Sequence, residues 1–232
     1  MAKRISMVLP SLATSGSLML GVLAIMMIGE GRFLLATLLI VTGSILDAMD
    51  GQLADRLGTT SELGKQLDSL SDVVTFGVAP SLLIYHLLLN VGVSFPVAVA
   101  ISLVFVIAGA FRLARYNTLP TDRAAYYVGL PIPMASILVI TGSFWQHWVI
   151  NLWWAVVVIL VSGLMASTFP YPKAHHLSRT PPLAAVAVVI AVAVAWAIAG
   201  WEAVPFGLFA LYAGSGPALW LARRGQRRRG AG

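Results

Sequence analysis

Apolar residues run along this chain in stretches of about twenty, interrupted by short polar breaks. They do not alternate with period two or confine themselves to one helical stripe. Stretches of that length match the roughly 30 Å hydrocarbon core of a bilayer, where only helices and closed barrels satisfy their own backbone polar groups. The pattern predicts an all-α integral membrane protein with eight spans, over about 8–28, 33–57, 64–90, 95–117, 126–144, 151–169, 182–200 and 204–222. An even number of spans places both termini on one side. No soluble domain or low-complexity linker interrupts the pattern, so residues 1–232 read as a single polytopic membrane domain. It divides into a core over about 8–169 and additional helices over about 182–222.

Composition agrees with this picture. Of the 232 residues, 59% are hydrophobic and 10% charged, and the mean hydropathy of +0.87 lies well outside the soluble range. Charge then orients the spans. With the N-terminus in the cytoplasm, the inner segments hold Lys3, Arg4, Arg56, Lys65, Arg112, Arg115, Arg123, Lys173 and Arg179, together with Arg223, Arg224, Arg227, Arg228 and Arg229. Only Arg32 falls outside, so fourteen of fifteen cations obey the positive-inside rule. The net charge of +6 is thus a topological signal in a cytoplasmic membrane protein, and nucleic acid is not an expected partner. Membrane lipids are, and the arginine-rich tail reads first as an anchor. The apolar run after Met1-Ala-Lys-Arg is longer than a secretory h-region and reads as a retained first span. Trp145, Trp148, Trp153, Trp154 and Trp201 fall near predicted outer ends, where amphipathic rings anchor at the interface, and His147 sits among them. His175 and His176 lie in a polar loop with no carboxylate partner motif and read as solvent-exposed.

Spans two and three break the rule that membrane helices avoid charge, for they carry Asp47, Asp50, Asp68 and Asp72 near their cytoplasmic ends. A charge at mid-span costs about 2.5–3.5 kcal/mol on insertion scales. The nearby cations Arg56 and Lys65 are outnumbered, with Asp55 and Glu62 also present. A bound divalent cation resolves the imbalance. At about 100° per residue Asp47, Asp50, Gly51 and Ala54 share one face of span two, while Gly64, Asp68 and Asp72 form one stripe on span three. The chain reverses around Gly58, so spans two and three are expected to be antiparallel neighbours with both stripes in one cleft. There is no cysteine, which excludes thiolate sites, and oxygen ligands favour Mg²⁺, Mn²⁺ or Ca²⁺ over zinc. Four carboxylates suit two ions. Gly51 and Gly64 allow a ligand close to the backbone, or simply close helix packing.

The run Asp47-Ala-Met-Asp50-Gly51-Gln-Leu-Ala54-Asp55, then Gly64-Lys-Gln-Leu-Asp68-Ser-Leu-Ser-Asp72, resembles the signature of the integral membrane CDP-alcohol phosphotransferases. That signature is D-x-x-D-G-x-x-A-R, eight residues, then G-x-x-x-D-x-x-x-D. The resemblance implies that Asp47, Asp50 and Asp68 hold divalent metal against a nucleotide diphosphate. It implies that Asp72, shared with a metal, is the base for the alcohol, and that Gly51, Ala54 and Gly64 lie against the nucleotide. It also implies a homodimer. Asp55 stands where the family has arginine, and Arg56 is displaced by one residue, or about 100° around the helix. Either the helix is unwound enough for Arg56 to reach inward, or nucleotide binding is altered, or activity is weakened.

Asp68-Ser-Leu-Ser-Asp72-Val-Val-Thr-Phe-Gly-Val-Ala-Pro80-Ser looks like the bacterial and archaeal branch of the family that transfers a phosphatidyl group from CDP-diacylglycerol to L-serine. Phe111-Arg112-Leu-Ala-Arg115-Tyr-Asn117 and Gly129-Leu-Pro131-Ile-Pro133 agree with it. In the first span, Leu9-Pro10-Ser11-Leu-Ala-Thr14-Ser-Gly-Ser17 has serines where that branch usually has asparagines, which hydrogen-bond with longer reach. Arg112 and Arg115 read either as positive-inside anchors or as forks for a phosphate or the serine carboxylate. Three other readings stay open: another acceptor such as glycerol-3-phosphate or an inositol phosphate, a divalent-cation transporter, and a non-catalytic lipid-binding homologue.

Overall fold

A computed structural model describes residues 2–57, 62–118, 126–142, 152–172 and 203–229, with side chains described over 12–49, 62–118, 126–142, 153–172 and 205–221. The helices are α1 (Ala2–Gly29), α2 (Phe33–Leu57), α3 (Glu62–Asp72), α4 (Ala79–Asn90), α5 (Phe95–Thr118), α6 (Ile132–Gly142), α7 (Leu152–Ala166) and α8 (Ala203–Arg229). Three apolar segments are long enough to cross a membrane: Leu12–Gly29, Glu62–Asn90 and Phe95–Thr118. Phe33–Met49, Ile132–Gly142 and Trp153–Ala166 are shorter apolar helices. The expected span over 182–200 lies outside the described residues, as do Trp145, His147, Trp148, His175 and His176. Nothing is described of Trp201 either.

The chain packs as two compact units, Met1–Val106 and Ile107–Gly232. In the first, α1 packs against α2, α3, α4 and the segment between α3 and α4. A tight turn with Gly31 at φ +74° reverses α1 into α2. A Cβ on Gly16 would meet Leu46, and Ser17 Oγ donates to the Gly43 carbonyl at 3.1 Å, so positions fall along α2 as they rise along α1. The same reversal relates α2 to the third helix, because Asp47 lies with Asp68 and Asp72 while Gly43 lies against Thr75.

The third helix is not uniform. Val73–Val78 is a π-helical segment joining α3 to α4, with the Ala79 N–H reaching back to the Val74 carbonyl. Pro80 supplies the physical reason: it has no N–H to give the Phe76 carbonyl four residues earlier, and its ring would collide with that carbonyl in a regular turn. A wider turn relieves both problems, and Gly77 within it adds little steric resistance.

The second unit corrects the all-α expectation. Tyr126–Val128 and Pro170–Pro172 form a short antiparallel strand pair, β1 and β2, with Tyr127 opposite Tyr171. Helix α6 therefore begins at Ile132, not near residue 126. Two adjacent tyrosines and a valine favour extended backbone, Gly129 sits at φ +77°, and Pro131 disfavours helix at the residue before it. Arg115 holds this clip: Nη1 donates to the Ala166 carbonyl at 2.8 Å, and Nη2 to those of Ser167 (2.7 Å), Val128 (3.1 Å) and Met165 (3.3 Å). A cation among the last carbonyls of α7 is a favourable helix end. Tyr171 ties the clip to α8 by donating to the Ala213 carbonyl at 2.9 Å, its ring filling the space beside Gly216. Burial pushes the Tyr171 hydroxyl above its ordinary pKa, so it stays a neutral donor.

Trp153 and Trp154 do not share the interfacial role expected of them. Trp153 is 74% exposed, but Trp154 is fully buried against Gly142 and Phe206. Neighbours on a helix point about 100° apart, so only one of the pair can face outward.

A side chain at position 129 would meet Arg115 Nη2 and the Met165 carbonyl in a backbone conformation that L-residues disfavour. Gly129→Ala is expected to destabilise the protein by about 2 kcal/mol, lowering the thermal midpoint in detergent by roughly 4–8 °C.

Candidate metal centre

Asp47 on α2 and Asp68 and Asp72 on α3 each offer a carboxylate oxygen, and the three oxygens lie within 4.8 Å of one another. Asp47 and Asp68 are half-buried, and Asp72 is 7% exposed. Their convergence follows from the helix periods. Asp68 and Asp72 are one turn apart on α3, and the opposite run of α2 brings Asp47 to the same level. Lys65, one turn before Asp68 on α3, is exposed and paired with Glu62 at 3.1 Å.

The donor set fits a hard divalent cation. Oxygens on opposite sides of one ion lie about 4.1 Å apart for Mg²⁺ and about 4.6–5.2 Å for Ca²⁺, twice the metal–oxygen distance. The 4.8 Å limit on the three separations is of that order, as ligands sharing one ion require. Carboxylate oxygens without thiolate or imidazole suit Mg²⁺, Mn²⁺ or Ca²⁺.

Of the expected site residues, the structure thus brings together Asp47, Asp68 and Asp72. Gly64 lies one turn before Asp68 on the same helix and is half-buried. Asp50, Gly51, Ala54, Asp55 and Arg56 fall in the last turns of α2, but their side chains lie outside the described residues. Arg112 and Arg115 belong to the second unit. Arg115 serves the four carbonyls of the clip, whereas Arg112, 5% exposed, lies 5.2 Å from the Tyr116 ring centroid and 6.0 Å from that of Tyr127. Those are cation–π distances.

Three hydroxyls beside the aspartates form ties between helices that spacing along one helix does not predict. Ser71 Oγ donates to the Thr14 carbonyl at 3.2 Å, Thr75 Oγ1 to the Ser17 carbonyl at 3.1 Å, and Ser17 Oγ to the Gly43 carbonyl. Their signal in the sequence was small polar residues at helical spacing, Thr14 with Ser17 and Ser71 with Thr75.

Fold and site together define a class: a helical membrane protein with a carboxylate cluster built between oppositely running helices. The chain belongs to the CDP-alcohol phosphatidyltransferase family, whose model matches residues 7–161. It is 44% identical over 133 residues to a CDP-diacylglycerol–serine O-phosphatidyltransferase of Helicobacter pylori strain J99, covering 56% of this chain and 55% of that protein. The chain thus spans about half the length of the Helicobacter relatives it matches. Enzymes of the same name from Bacillus subtilis and Methanocaldococcus jannaschii are 34% and 38% identical. The first alignment covers 72% of this chain and 92% of the relative, the second 58% and 62%.

Replacing Asp68 by Asn keeps the side-chain shape but removes one anionic ligand. Mn²⁺ affinity, followed by electron paramagnetic resonance of the purified protein, is expected to fall at least about tenfold while the helical circular dichroism is unchanged.

Proposed function

We propose that this protein is a phosphatidylserine synthase, transferring the phosphatidyl group of CDP-diacylglycerol to the hydroxyl of L-serine with release of CMP. The observation that carries the reading is the convergence of Asp47, Asp68 and Asp72, set in the family's spacing of acids and glycines. The serine acceptor is supported by the printed names of the relatives. Asp47, Asp50, Asp68 and Asp72 would hold Mg²⁺ or Mn²⁺, with two ions matching four carboxylates. When bound, such ions neutralise the diphosphate, polarise the reacting phosphoryl group and stabilise the leaving charge.

The remaining chemistry falls to the chain itself. The serine oxygen forms a bond to the phosphorus that carries diacylglycerol, and the bond from that phosphorus to the CMP oxygen breaks. Asp72 takes the serine hydroxyl proton, and its burial keeps bulk water from competing for the carboxylate. Gly51, Ala54 and Gly64 leave room for the nucleotide. Because α2 is helical through Leu57, position 56 stays about 100° around the helix from the family's arginine position, which favours nucleotide binding altered at Asp55. Arg112 and Arg115 are the candidates for binding a phosphate or the serine carboxylate, and Arg115 Nη1 and Nη2 also serve backbone carbonyls. A single polytopic domain with eight spans, a core over about 8–169 and further helices over about 182–222 fits the charge distribution. Cytoplasmic termini, an active site facing the cytoplasm and a homodimer complete the proposal.

The test supplies purified protein in lipid nanodiscs with CDP-diacylglycerol and Mn²⁺ or Mg²⁺, and offers L-serine, glycerol-3-phosphate or inositol phosphate. CMP and phosphatidylserine should appear with serine alone. Product from another alcohol instead would reassign the acceptor, and CMP from none would remove the transferase reading. Asp72→Asn should lower turnover by at least about a thousandfold without unfolding the protein, and wild-type turnover in that variant would remove Asp72 as the base.

A further inference from the structure

The π segment begins at the residue after Asp72, and its most enclosed polar side chain is Thr75, fully buried between α1 and α2. Its hydroxyl donates to the Ser17 carbonyl of α1 at 3.1 Å. Its methyl faces α2, where a Cβ on Gly43 would come within 2.9 Å of Thr75 Cγ2. On the α1 side a Cβ on Gly21 would overlap the Thr75 hydroxyl and approach its Cα to 2.8 Å. Two glycines on two helices thus leave the space that one threonine fills. Ser17 Oγ closes the triangle by donating to the Gly43 carbonyl at 3.1 Å.

This triangle lies one helical turn from the carboxylates: Thr75 follows Asp72 by three residues, and Gly43 precedes Asp47 by four. Ser71, on the other side of Asp72, is tied to the Thr14 carbonyl of the same α1. Asp72 is therefore bracketed by two hydroxyl ties to one helix. The bracketing has a mechanical reason. A π turn widens the helix and changes which way later residues face, so the rotational setting of the segment needs a side-chain contact to define it.

We infer that Thr75 is a positioning residue for the carboxylate cluster, its hydroxyl and methyl together setting the distance and rotation of Asp72 relative to Asp47. The inference rests on the metal-binding reading of the cluster. It accounts for the short serine and glycine side chains at positions 17, 21 and 43: Ser17 needs no reach beyond the adjacent carbonyl, and neither glycine can carry a Cβ without displacing the threonine. Thr75 touches neither metal nor substrate in this scheme.

The test titrates Mn²⁺ alone against the full chain in nanodiscs, by electron paramagnetic resonance, for the unaltered protein and for Thr75→Val, Thr75→Ala and Thr75→Ser. Thermal unfolding of each variant identifies the folded ones. Val keeps the shape without the hydroxyl, Ala introduces no clash should Val fail to fold, and Ser restores the donor. Folded Val or Ala variants should bind Mn²⁺ about tenfold more weakly, with Ser within about twofold of the unaltered protein. A merely structural threonine would lower the unfolding midpoint and leave the affinity of the folded protein unchanged, and that result would overturn the inference. So would a Ser variant as weak as Ala. No Mn²⁺ binding by the unaltered protein would remove the metal reading itself, and this inference with it.

Discussion

The cost of placing carboxylates in an apolar helix shapes the first unit of this protein. Asp68 and Asp72 lie within Glu62–Asn90, long and apolar enough to cross a bilayer, and Asp47 near the end of the shorter apolar helix Phe33–Met49; a mid-span charge costs about 2.5–3.5 kcal/mol. Such groups persist when they converge on a compensating charge. Convergence requires two helices of opposite direction held at a fixed separation and rotation, and the polar contacts of α1 meet that requirement. Close approach of the helices depends on small residues, and the hydroxyl ties use carbonyls inside a helix without opening it.

The π turn after Asp72 belongs to the same solution. Pro80 cannot continue a regular ladder, and the relief of that conflict is displaced into the turn next to the acids. Wide turns of this kind recur beside functional groups, where they alter the direction of a side chain without ending the helix. The second unit follows a different rule. There a strand pair and the guanidinium of Arg115 collect backbone carbonyls that have left regular helix, which in an apolar setting must find donors.

Much of this was legible from residue order. The helix over 33–57 and the one beginning at 95 fall where the apolar pattern puts them, because a polar break ends an apolar run sharply. The shared stripe of Asp68 and Asp72 follows from helical period alone. The start of α6 was misplaced because Tyr126–Val128 is apolar enough to extend the following run, and only its pairing with Pro170–Pro172 distinguishes strand from helix. Trp154 was misassigned for a related reason. In a bilayer both faces of a helix can be apolar, so the hydrophobic pattern no longer says which face packs inward.

The sequence by itself determined the membrane character, the family and the acids that could meet, since these depend on composition, on spacing along one helix and on a motif. Tertiary structure alone decided which small polar residues bind which carbonyls, that Arg115 caps α7 while Arg112 lies under tyrosine rings, and which tryptophan is buried. The division has a physical origin. Helical period fixes the direction of a side chain relative to its own axis, but the rotation of each helix against its neighbours is set by contacts between residues distant in sequence. Thr75 with Ser17, Gly21 and Gly43 is such a set, and no spacing rule along a single helix contains it.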